Sequence, residues 1–264
     1  MSSDPVTNTE RDPRATESVS FPTKEGDSVV HPATRSDAAW ICGLLQAGDS
    51  FYPTGSYAHS FGLEGLVQAG LVRDRSTLRE FIFRSVVPAL RQSELPLTVH
   101  AWNALGESDW PRVGEISHLS AALKTPREAR MASNNIGRQR AELLVTLRAY
   151  GPGKLYLERA AAEGWPFSVA VSAALEGRSL NAPLTAVLAG VTYSTVAGLL
   201  SAAMKLLRLG QNASQSLLTE VLAGAPAMIA AAELVPYDQI GWFNPWLDIA
   251  AARHETADAR MFIS

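Results

Sequence analysis

An all-α fold, a single-domain bundle of about eight to ten helices behind a disordered polar tail, is what this sequence predicts. Three observations predict it. From Ala38 onward apolar residues recur at three- and four-residue spacing, no segment sustains the alternation of a strand, and helix starts and stops are marked by caps, prolines and glycines. Residues 1–37 form the tail: they hold Ser, Thr, Pro and charge with almost no apolar side chains, a composition that cannot offset the entropy of ordering. Residues 38–264 form the helical domain.

The first element is punctuated by the polar stretch Gln46 to Glu64. Pro53 and Gly55 make it a turn, and Thr54 or Ser56 caps a helix continuing from His59 through Phe61, Leu63, Leu66 and Val67. Thr77 with Glu80 fits a capping box ahead of a helix over 78–87, which Pro88 interrupts. Thr125-Pro126-Arg127-Glu128 combines an N-cap, a proline in the first helical position and a returning glutamate. The helix it opens runs from 126 to about 150, with Ala129, Ala132, Ile136, Leu143 and Leu147 as its apolar stripe, and Gly151-Pro152-Gly153 ends it. Further helices are expected over 155–163, 167–175, 184–209, 215–223 and 227–234. Residues 184–204 carry no charge and are long enough to cross a bilayer. Their Thr and Ser content, and the lack of a second such segment, favour a buried central helix whose Gly and Ala residues admit close neighbours.

Composition narrows the function. At 264 residues, 28.3 kDa and 47% hydrophobic content the chain can bury a sizeable core. The formal charge is −3, and seven acids against four bases within residues 1–37 account for all of it, leaving a neutral body without an electrostatic footprint for nucleic acid or an anionic membrane. Cys42 is the only cysteine, which excludes a disulfide framework and a thiolate metal cluster and fits a reducing compartment. The N-terminus has no apolar targeting segment, so the cytoplasm is expected.

No motif spells a reaction. His254-Glu255-Thr-Ala-Asp258 begins like a zinc-protease helix but has aspartate where the second histidine belongs. Gly151-Pro-Gly-Lys154 lacks the spacing of a phosphate-binding loop, the nucleophile elbow is absent, and the five histidines are scattered. The aromatic, arginine-bearing end, Trp242 to Ser264, reads as a docking segment or as a last element packed on its own bundle. No catalytic residue, metal ligand or cofactor is therefore expected. The alternative is a nickel carrier or metal-dependent enzyme in which the fold assembles His59, His254 and Glu255.

Three blocks, in order, resemble the urease accessory protein F (UreF) family. They are Asp49-Ser-x-x-Pro-Thr-Gly-Ser-Tyr57-Ala-His59-Ser-Phe-Gly-Leu-Glu64, Lys205-Leu-Leu-Arg-Leu-Gly-Gln211-Asn-x-x-Gln215, and Asp248-Ile-x-x-x-Arg253-His254-Glu255-x-x-x-x-Arg260-x-Phe262-x-Ser264. The resemblance implies an all-helical, non-enzymatic homodimer that joins UreD (also called UreH) and the GTPase UreG to deliver nickel to apo-urease. It implies that Tyr57, His59 and Lys205 engage the GTPase, and that Arg253, His254, Glu255, Arg260 and Phe262 form or support the UreD interface, where the C-terminal segment orders. Pro53, Gly55, Ser56, Glu64, Gln211 and Gln215 are the motif's structural positions, and Glu128, Arg130 and Gly137 match a further family stretch. The chain departs from the family at Arg208, where proline is usual, at Met261, at Ala257-Asp258 and at Gly164-Trp165-Pro166.

Overall fold

The computed structural model describes residues 33–49, 51–55, 60–245, 248–249 and 261–262, and helices dominate it. In chain order they are α1 (Ala33–Gly48), α2 (Leu63–Gln68), α3 (Arg75–Phe81), α4 (Val87–Ala89), α5 (Leu95–Gly106), α6 (Trp110–Ala122), α7 (Arg127–Arg148), α8 (Gly151–Glu163), α9 (Val169–Leu180), α10 (Leu184–Leu206) and α11 (Gln211–Glu233). Two π-helical turns, Ile82–Val86 and Leu90–Glu94, fuse α3, α4 and α5 into one rod. The described residues thus make nine helices and no strand, the expected class. Helix α1 starts at Ala33, inside the stretch expected as tail; residues 1–32 lie outside the described residues.

The rod corrects the expectation that Pro88 ends a helix. Proline lacks an N–H, and its ring clashes with the carbonyl four residues back. Here each π turn widens the helix directly before a proline: Val87 N–H donates to Ile82 O ahead of Pro88, and Leu95 N–H donates to Leu90 O ahead of Pro96. The carbonyl that Pro96 cannot use, Gln92 O, accepts instead from Gly241 N–H at 2.8 Å. Asn244 Nδ2 donates to Ser85 Oγ at 2.8 Å, so residues 241–244 strap across both widened turns. Pro226 is likewise carried inside α11, which replaces the two helices expected over 215–223 and 227–234.

Caps explain the other boundaries. Asp74, not Thr77, caps α3: its carboxylate accepts Thr77 N–H at 2.9 Å while Thr77 Oγ1 accepts Asp74 N–H at 3.1 Å, a capping box set three residues upstream of the expected one. Pro126 takes the cap position of α7, and Ala149 at φ 49° ends it. Gly151-Pro152-Gly153 then forms the first turn of α8, because a proline there surrenders only an N–H that has no helical partner. The buried face of α7 is Ala132, Ser133, Ile136, Gly137, Ala141 and Leu144. Leu143 and Leu147 of the expected stripe lie beside it, Leu147 exposed, because the small residues are what lets α7 close on α9.

Two apolar cores share α5 and α9. The first gathers Leu63, Leu78, Ile82, Leu188, Val196, Leu199 and Leu217 from α2, the rod, α10 and α11; the second gathers Val113, Ile116, Ala141, Leu144 and Tyr156 from α6, α7 and α8. Helix α5 sends Leu95 and Val99 into one core and Leu97 and Ala101 into the other, and α9 is buried from Ala170 to Gly177. Each fully buried leucine contributes about 1.5–3 kcal/mol relative to exposure. Helices α10 and α11 are both long and apolar enough to span a bilayer, α11 correcting the expectation of a single such segment, and both turn buried faces to the first core.

Candidate functional site

Parts of the three sequence blocks meet around one carboxylate. Phe61 and Gly62, at φ 54° and 81°, turn the chain sharply so that α2 begins at Leu63, with Leu63 N–H donating to Ser60 O at 3.0 Å. Glu64 stands in that first turn at 4% exposure, its own N–H donating to Ser60 Oγ at 3.3 Å. Its carboxylate accepts the main-chain N–H of Met261 at 2.7 Å on one oxygen and of Phe262 at 3.0 Å on the other. Phe262 is thereby seated in the first core, and Lys205 Nζ, exposed on the last turn of α10, lies 5.5 Å from its ring centroid.

The remaining positions of the blocks distribute as follows. Gln211 and Gln215 are exposed, one turn apart at the start of α11, behind a turn in which Arg208 has φ 51°, a conformation closed to proline. Pro53 is exposed and Gly55 takes φ 75°, the turn expected there. Ser56, Tyr57, His59, Arg253, His254, Glu255 and Arg260 lie outside the described residues. Gly137 has a packing role: a Cβ there would stand 2.7 Å from the Ser168 backbone, where α7 approaches the start of α9. Arg130 donates to the Lys124 and Thr125 carbonyls at the end of α6. At the departure around 164–166, Trp165 packs over Gly114, and any larger residue at 114 would overlap its indole.

Beneath the loop 49–55 lies a buried polar network that the sequence motifs did not single out. Tyr52 Oη donates to Glu176 Oε1 at 2.7 Å, and Arg140 Nε stands 2.9 Å from Glu176 Oε2, a close charge pair whose N–H is not aimed at the oxygen. Glu176 is 2% exposed on α9, and an Arg140 amino group donates to Ala47 O at 3.2 Å. Burial first, then the Glu176 charge, pushes the Tyr52 hydroxyl well above its ordinary range. The one signal for this network in the sequence is Glu176 itself, a lone acid in an otherwise uncharged run from Phe167 to Gly177.

A cavity of about 340 Å³ opens between the end of α1, the rod, α7, α10 and the strap. Phe61, Phe81, Leu90, Ile136 and Leu199 make it largely apolar, and the Lys124–Glu94 ion pair, 3.2 Å long, lies on its wall. Burial raises the carboxyl of Asp248 at its rim, against a hydrogen bond from Thr125 that lowers it. Among the described residues no three His, Cys, Asp or Glu side chains are grouped to hold a metal. His100 is tied to Val235 O at 3.0 Å and to the edge of Tyr237.

The described residues, strand-free and gathering Glu64, Lys205 and Phe262 at one place, define an all-α protein. A family model described as UreF matches residues 72–222, more than half of the chain. "Urease accessory protein UreF" of Azoarcus sp. (strain BH72) is 31% identical over 222 residues, covering 84% of this chain and 94% of its own. The proteins of that name from Paenarthrobacter aurescens (strain TC1) and Methylibium petroleiphilum (strain ATCC BAA-1232 / LMG 22953 / PM1) are 31% and 29% identical, covering 86% and 89% of this chain and 99% of theirs. The chain belongs to the UreF family.

Proposed function

We propose that this chain is a non-enzymatic scaffold of urease maturation. It works in the cytoplasm as a homodimer, binds UreD (UreH) and the GTPase UreG, and with them delivers nickel, as cargo, to apo-urease. No resident cofactor is involved. Tyr57, His59 and Lys205 contact the GTPase; Arg253, His254, Glu255 and Arg260 form the UreD face, with Phe262 supporting it from the core. The observation that carries this reading is the meeting of Glu64, Lys205 and Phe262: contacts of buried Glu64 and Phe262 with each other, and of exposed Lys205 with the Phe262 ring, hold parts of all three family blocks in one region, which supports neighbouring docking surfaces for the two partners.

Co-purification of the full chain with tagged UreD and tagged UreG tests it, with Tyr57→Ala and Lys205→Ala alongside wild type. The expected result is capture of both partners by wild type and at least a tenfold loss of UreG capture in each variant, equivalent to about 1.4 kcal/mol. Undiminished UreG capture in both variants refutes the site assignment.

A further inference from the structure

The buried charge on α9 is an expensive group to keep. Replacing a buried ion pair by apolar residues of similar volume is often neutral or stabilising, so such a pair is poor support for a purely stabilising role. What Glu176 does hold is specific. Through Tyr52 it reaches the loop of the first block at 2.7 Å, and through Arg140 it reaches α7, whose guanidinium also takes the last-turn carbonyl of Ala47 on α1. Local bonds add to this anchor: Phe51 N–H donates to Asp49 Oδ1 at 2.7 Å, Tyr52 N–H to Asp49 O at 3.0 Å and Thr54 N–H to Tyr52 O at 2.7 Å. Tyr52 is 6% exposed while its neighbour Phe51 is 92% exposed, so the inward anchor decides which face of the loop turns out.

We propose that Glu176 is the positioning residue of the first block: with Arg140 it fixes Tyr52, and through Tyr52 the orientation in which the loop is presented to the GTPase partner. This rests on the scaffold reading above. Glu176 and Arg140 act from beneath the loop, Glu176 holding the Tyr52 hydroxyl and Arg140 joining Glu176 to the last turn of α1.

Two readouts on the full chain separate this proposal from the reading it rests on. Amide exchange at Tyr52 and Thr54 reports the anchor alone; capture by tagged UreG and, separately, tagged UreD reports the partners. Tyr52→Phe removes one hydroxyl, Glu176→Leu with Arg140→Met removes the charge pair as a unit, and Glu176→Gln keeps an acceptor for Tyr52. Expected are at least tenfold faster exchange in the first two variants, about tenfold weaker UreG capture, UreD capture within twofold of wild type, and rescue of most of both effects in Glu176→Gln. Should the double variant fail to fold, Tyr52→Phe carries the same test. Exchange unchanged in Tyr52→Phe overturns the proposal, as does an equal loss of both partners, which marks a merely structural network. Faster exchange with UreG capture untouched in Tyr57→Ala and Lys205→Ala as well supports the anchor and refutes the scaffold's site assignment instead.

Discussion

Tyr156 is fully buried in the second core, its hydroxyl within 3.1 Å of Ser117 Oγ and accepting Ser168 N–H at 3.2 Å. Burial pushes this hydroxyl from its ordinary value near 10 up to about 12, against the two hydrogen bonds that lower it. The folded state therefore holds its proton after the unfolded chain has released it. That contribution to stability is fully present below pH 10 and is lost as pH climbs through 12, at up to about 1.4 kcal/mol per pH unit. Urea denaturation at pH 8, 10 and 11 is expected to show stability falling more steeply above pH 10 in wild type than in Tyr156→Phe. The variant starts about 1–3 kcal/mol lower because it strands the Ser168 amide. Equal slopes in the two proteins would show that Tyr156 does not titrate with unfolding. At this same scale the sequence was least informative: Glu64 read as one polar residue of a kinked block, and only its contact with Met261 and Phe262, nearly two hundred positions away, shows what its carboxylate is for.

Helices were legible where their signals are local. The start near Pro126, the long α10, uncharged as far as Met204, and the lack of strands among the described residues follow from caps and periodicity, which act within a few residues. The rod and α11 were not, because each carries a proline inside a continuous helix where the local pattern reads a break. At Pro96 the widened turn and the amide of Gly241 together absorb the disruption. Replacing Pro96 by alanine restores an N–H that competes for Gln92 O, so the turn is expected to narrow and the strap to loosen. Amide exchange at Gly241 is expected to rise about tenfold in Pro96→Ala, while helix content by circular dichroism holds or increases. Unaltered Gly241 protection would mean that the strap is held by Asn244 and its apolar contacts rather than by the carbonyl the proline leaves open.

The two cores are not independent, because each of the two helices between them is buried on both sides. Leu97 and Leu175 are wholly buried in the second core, and two residues along the same helices Val99 and Ala173 belong to the first. Gly177 tightens the junction: a Cβ there would overlap the Val187 side chain of α10 and press on Trp102, which packs against both cores. Such a junction leaves little room for one core to open while the other stays closed, and it explains why α10 and α11, apolar enough for a membrane, are instead partners of an interior. Truncating Leu175 to alanine empties a leucine-sized space in the second core at a cost of about 2–5 kcal/mol. If the cores form one cooperative unit, amide protection on α8, which touches only the second core, and on α11, in the first, falls by the same factor in Leu175→Ala. A loss confined to α8 would instead establish two separately unfolding halves. In that case the region where Glu64 meets Lys205 and Phe262, which sits on the first core, would survive damage to the second.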